Sequence, residues 1–110
     1  EWQLRRREIK NYYNEGLKDI GIGIRQSPSG SETNDHKYCI FVKDKRTFRD
    51  QMKELGVDCQ LHYTYDFSKT PAYEGISKTN YEWTNFYKQH AISLPSSPWN
   101  TISEIKYVIE

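Results

Sequence analysis

Cysteine is scarce in this 110-residue chain: the two present, Cys39 and Cys59, share no CxxC spacing. That excludes a disulfide-dense scaffold and a redox or zinc pair, and both read as reduced, mostly buried thiols. Charge of one sign is also lacking. Sixteen Lys and Arg against fifteen Asp and Glu leave +1, too little for a global field to steer nucleic acid or anionic lipid. The longest apolar run, Cys39 to Val42, falls far short of the roughly 20 residues that cross a bilayer. Neither a signal peptide nor a lipidation motif is seen, which makes the cytoplasm the default compartment. HExxH, GxSxG and GxxxxGK[ST] are missing, and with them the common self-contained catalytic signatures. The length allows one domain, residues 1–110, with a single core. Residue 1 is Glu, and a helical pattern begins without a capping residue before it, so the chain reads as part of something longer.

Aromatic residues are abundant instead, at 15% with nine tyrosines, large rings whose hydroxyls need partners when buried. Trp2, Leu4, Ile9 and Leu17 predict a helix over 2–17, with Arg5-Arg6-Arg7 as a solvated face. The polar stretch from Ile20 to Asp35 reads as a mobile linker, and Gly21-Ile22-Gly23 lacks the third glycine of a dinucleotide fingerprint. Alternation predicts strands at 37–42 and 57–63, the latter with Val57, Cys59, Leu61 and Tyr63 inward and Asp58, Gln60 and His62 on a polar face. Between them Thr47 and Asp50 form a capping-box pattern that opens a helix closed by Gly56. Residues 64–78 read as a loop pinned by Tyr65, Phe67 and Tyr73. Thr79 and Glu82 cap a third helix, whose stripe of Trp83, Phe86, Tyr87 and His90 is expected in the core. A strand at Ala91–Leu94 ends at Pro95, and Thr101 with Glu104 opens a last helix. The expected class is α+β: a small three-stranded, partly antiparallel sheet with helices packed on one face.

Three histidines offer chemistry. His36 reads as an exposed loop residue and His90 as a satisfied histidine on the aromatic stripe. His62 differs, because it ends a strand on its polar face and feeds a long aromatic loop, where binding groups gather.

These residues, in order, resemble the C-terminal small domain of the DegT/StrS-type sugar aminotransferases, pyridoxal-phosphate enzymes of fold type I. The resemblance rests on RRREIKNYYNEGL at 5–17, HKYCIFV at 36–42, RTFRDQMKELGVDCQLHY at 46–63 and AISLPSSPWNTISEIKYVIE at 91–110. It implies amino transfer from a donor amino acid to a nucleotide-linked keto sugar, with His62 and Tyr63 as substrate-binding residues. It implies neither a catalytic residue, nor a cofactor-binding residue, nor a metal ligand within this chain. The Schiff-base lysine motif is absent, so pyridoxal phosphate belongs to a missing large domain and this chain alone is expected to be inactive. A homodimer is the expected assembly, with no nucleic-acid or membrane partner. Cys39, where many relatives carry histidine, and Thr64, where proline often follows the His-Tyr pair, depart from the family pattern.

Two other functions compete. A nucleic-acid module would use stacked Tyr and Phe rings, but no RNP-like octapeptide occurs. A free-standing, non-catalytic remnant would expose an apolar patch where its partner domain once packed.

Overall fold

Ala91–Leu94 is buried at every position, and the fold is arranged around it. The computed structural model describes residues 1–76 and 80–110. In chain order it contains α1 (Trp2–Leu17), β1 (Gly23–Ile24), β2 (Tyr38–Phe41), α2 (Lys45–Glu54), α3 (Glu82–His90), β3 (Ala91–Leu94) and α4 (Ile102–Ile109). Two short 3-10 turns, Phe67–Lys69 and Pro71–Tyr73, lie between α2 and α3.

The sheet runs β1-β2-β3 and is antiparallel at both pairings. Tyr38 faces Leu94 and Ile40 faces Ile92, while Cys39 faces Ser93 and Phe41 faces Ala91. Because side chains alternate along a strand, this register sorts the residues onto two faces. Tyr38, Ile40, Ile92 and Leu94 cluster with Ile9, Tyr13 and Leu17 of α1 and Ile105 of α4. Phe48 and Met52 of α2 pack at the margin of that cluster. On the other face, Phe41 meets Phe86 and Tyr87 of α3 at 5.2 and 5.0 Å. Three helices therefore serve the inner face and α3 alone lies on the outer one.

Spacing explains α1: Ile9, Tyr13 and Leu17 recur every fourth residue and are its buried positions. Tyr13 stacks on Tyr38 at 4.6 Å and donates to the Pro95 carbonyl at 2.7 Å. Tyr38 donates to Asn14 Oδ1 at 2.8 Å. Burial drives the Tyr13 phenol far above its ordinary range and Tyr38 up to about 12, so both stay protonated donors. Gly16 lets α4 approach, since a Cβ there would lie 2.6 Å from Ile109 Cγ2. The capping box expected on α4 is present: the Glu104 amide donates to Thr101 Oγ1 at 3.2 Å and the Thr101 amide to Glu104 Oε2 at 2.7 Å.

Several expectations need correction. Residues 57–63 form no strand, although Val57 and Cys59 are buried as alternation requires. The Val57 amide turns back to the Met52 carbonyl at 2.8 Å, so only Gln60 reaches β3, exchanging two bonds with Ser93 at 3.0 and 2.9 Å. The third strand is instead Gly23–Ile24, inside the stretch read as a linker. Gly23 fits because it faces the Phe41 side chain closely: a Cβ would sit 3.3 Å from Phe41 Cβ. Asp44, not Thr47, caps α2. Its carboxylate accepts from the amides of Arg46 and Thr47 and from the Thr47 hydroxyl. The α3 stripe is not core, for α3 buries none of its residues; Phe41 is its main ring partner and Trp83 stays 74% exposed. Thr79, expected to cap α3, lies outside the described residues. No helix among the described residues is long and apolar enough to cross a membrane.

Candidate substrate cleft

His62 and Tyr63 lie at the outer face of the sheet, where the chain leaves its single rung on Ser93. The register turns the Ser93 side chain outward with Cys39, and Ser93 Oγ lies 3.1 Å from His62 Nδ1. Burial first, then the neighbouring Lys37 and His36 charges, hold the His62 imidazole below its usual pKa. It is therefore neutral at pH 7, able to donate from one nitrogen and accept at the other. Its Nε2 makes no hydrogen bond among the described residues.

Tyr63 is 49% exposed and packs edge-on against His62 at 5.3 Å. Lys37 Nζ donates to its hydroxyl at 3.3 Å and lies 5.1 Å from the ring centroid. Lys45, only 4% exposed, donates to the Tyr63 carbonyl at 2.8 Å. That bond ties the start of α2 to the His62–Tyr63 segment. Desolvation lowers the Lys45 pKa, and the carbonyl compensates for part of the water this amine has lost.

Beyond Tyr63 the rings do not anchor the loop by burial. Tyr65 and Phe67 are exposed and contact one another on the surface at 5.4 Å. The anchor is Asp66, which is buried. Its Oδ1 accepts from the Ser68 amide and hydroxyl at 2.9 and 2.7 Å, and these bonds hold the carboxyl below its ordinary pKa. Its Oδ2 is buried without a hydrogen bond, with Lys69 Nζ at 3.9 Å.

A cleft of about 570 Å³ opens between this segment, the outer sheet face and α3, and it includes Arg25, Lys37 and Lys88 along with His62, Tyr63 and Asp66. Three cations against one carboxylate, with a neutral imidazole and phenols, suit a ligand that is both anionic and rich in hydroxyls. His36 is exposed and bonded to Asn34, and His90 Nδ1 lies 2.9 Å from the Val42 carbonyl. Both match their sequence reading. Cys59 is buried, with its thiol pushed up to about 11, and Cys39 is half-buried. Among the described residues no group of three or more His, Cys, Asp and Glu could hold a metal ion.

Sequence reasoning singled out His62 and Tyr63; the structure places Lys37, Ser93 and Asp66 beside them in the same cleft and Lys45 on the Tyr63 carbonyl, none of which it singled out. Asp66-x-Ser68 carries a readable local signal, the side-chain turn that Asp makes with a residue two further on. Lys45 carries none, since a lysine just after a helix cap ordinarily points to water.

The DegT/DnrJ/EryC1/StrS aminotransferase family matches residues 1–110. The chain belongs to this family. A curated relative, the dTDP-3-amino-3,6-dideoxy-alpha-D-galactopyranose transaminase of Aneurinibacillus thermoaerophilus, is 26% identical over 106 residues, covering 96% of this chain and 29% of that protein. DesV of S. venezuelae, solved in complex with a ketimine intermediate, aligns with a TM-score of 0.90 at 22% identity, covering 98% of this chain and 30% of DesV. A family member from Brucella abortus gives 0.86 at 21% identity, covering 97% and 29%. At those identities the structural likeness concerns the fold. The chain thus spans under a third of the length of these family members, which makes it a fragment relative to them.

Pyridoxal phosphate needs an amine for imine formation, an acid against its ring nitrogen and a cradle for its phosphate. Here the Lys45 amine is buried on a backbone carbonyl, Lys37 engages Tyr63, and the Asp66 carboxylate is taken up by Ser68. These residues do not make a complete site for the cofactor.

Proposed function

We propose that this chain is the C-terminal small domain of a pyridoxal-phosphate-dependent nucleotide-sugar aminotransferase, forming one wall of the substrate cleft and inactive alone. The observation that carries this reading is the convergence of His62, Tyr63, Lys37 and Ser93 on one cleft, in a chain matched end to end by the family. The cofactor, held by a large domain outside this chain, supplies the amino-transfer chemistry. His62 and Tyr63 bind: the free imidazole nitrogen and the phenol hydrogen-bond sugar hydroxyls or a diphosphate oxygen, and Lys37 adds charge beside them. Lys45 holds the Tyr63 backbone in place.

An apolar groove of about 320 Å³ between α1, α2 and α4 supports the missing-domain reading. Ile20 and Leu55 at its margin remain 55% and 62% exposed, the kind of patch a partner domain covers. In the assembled enzyme the working unit is a homodimer.

Two measurements test this. Incubated with pyridoxal phosphate, glutamate and a nucleotide-linked keto sugar, the 110-residue chain releases no amino sugar; turnover would overturn the assignment. In the full-length enzyme, His62→Ala and Tyr63→Phe raise KM for the keto-sugar nucleotide about tenfold while cofactor content stays constant. Unchanged KM and kcat in both variants reject these two residues as substrate contacts.

A further inference from the structure

The cleft continues past His62. A second hollow of about 400 Å³ shares His36, Lys37, His62 and Ser93 with it, so these four form a polar ridge between two concave arms. The arms differ in chemistry. Toward α3 the surface offers the phenols of Tyr63 and Tyr65, groups that suit a hydroxylated pyranose. In the other arm stand two indoles, Trp2 and Trp99, which meet edge to face at 5.4 Å and yet remain 60% and 75% exposed. Arg6 also lines this arm, its Nε buried without a hydrogen-bond partner. The arginine run is therefore not a purely solvated face. Arg5 donates to the Asn100 carbonyl at 2.8 Å, tying the start of α1 to the segment that carries Trp99.

From this arrangement we infer that the Trp2–Trp99 hollow receives the nucleobase of a nucleoside diphosphate whose phosphates lie on the Lys37–His62 ridge. The sugar is then left to the tyrosine-lined arm. The inference rests on the nucleotide-sugar reading and deepens it. Every base has a π-face, so stacking on an exposed indole is favourable and tolerant of base identity. The ridge between the arms carries the cation and neutral imidazole that a diphosphate linking two rings requires.

The test uses dTDP, thymidine and inorganic pyrophosphate, titrated against the 110-residue chain. The Trp83→Phe substitution removes the one tryptophan outside the hollow. In that background dTDP quenches the remaining fluorescence saturably, and pyrophosphate competes without quenching. Adding Trp99→Ala weakens dTDP about tenfold or more, with pyrophosphate affinity unchanged and circular dichroism confirming the fold. Arg6→Gln weakens dTDP without loss of helix content. If dTDP binds equally well after Trp99→Ala, the base lies elsewhere and this inference is overturned, while the nucleotide-sugar reading stands. If neither dTDP nor pyrophosphate binds, this inference is overturned as well, and the nucleotide-sugar reading is decided by the KM measurements on the full-length enzyme.

Discussion

The two faces of the sheet solve different problems with the same strands. On the inner face, Ile9, Tyr13, Ile40, Ile92 and Ile105 are almost completely buried. The one polar group among them, the Tyr13 hydroxyl, is taken by the Pro95 carbonyl. On the outer face, Ser93 supports a half-buried histidine, and the rings of Tyr63, Tyr65 and Trp83 in the same cleft are largely open to solvent. The lesson is one of division. Folding energy is concentrated on one side of a two-residue-period strand, which leaves the other side free to carry polar groups that would be costly in a core.

The largest effect that sharpens this contrast comes from β3. Ile92→Ala removes a fully buried side chain and should destabilise by about 3 kcal/mol, read as a lowered urea midpoint with unchanged slope. Tyr13→Phe leaves the Pro95 carbonyl without its donor and should lose about 1–2 kcal/mol. Gly16→Ala should destabilise by about 1 kcal/mol, because contact with Ile109 outweighs the better helix propensity of alanine. The same change in an Ile109→Ala background should become stabilising. Stability should also fall as pH drops through the ordinary imidazole range. His62 is depressed in the folded chain, so the unfolded chain binds the proton first and gains from it. His62→Gln should flatten that slope in pH-dependent denaturation. On the outer face, Trp83→Ala should change stability by no more than about 0.5 kcal/mol. A loss as large as that of Ile92→Ala would break the division between the faces.

Much of this architecture could be read from residue order. The bounds of α1, the strand at Ala91–Leu94 and the Thr101–Glu104 box follow from periodicity and capping, signals contained within four or five residues. β1 could not be read, because two residues cannot display a period. The α2 cap was misplaced since Asp44 and Thr47 are both good capping residues. The choice depends on Asp44 taking two amides and the Thr47 hydroxyl together. The α3 stripe has the spacing of a buried face, and only the position of Phe41 shows how little of it the sheet covers. At the site, the family resemblance singled out His62 and Tyr63, and the strand end expected there marked His62 as well, whereas the groups bonded to them come from elsewhere in the chain.

By itself the sequence determined the helices, their order around the buried β3 strand, and the family whose pattern it keeps from residue 1 to 110. The tertiary structure decided which side of the sheet became core and which became cleft. It also brought Ser93 to His62 across 31 residues and Lys45 to the Tyr63 carbonyl across 18. The physical reason is range. Helix and cap preferences act between near neighbours along the chain, but a hydrogen bond between distant residues exists only once packing has closed the loop between them.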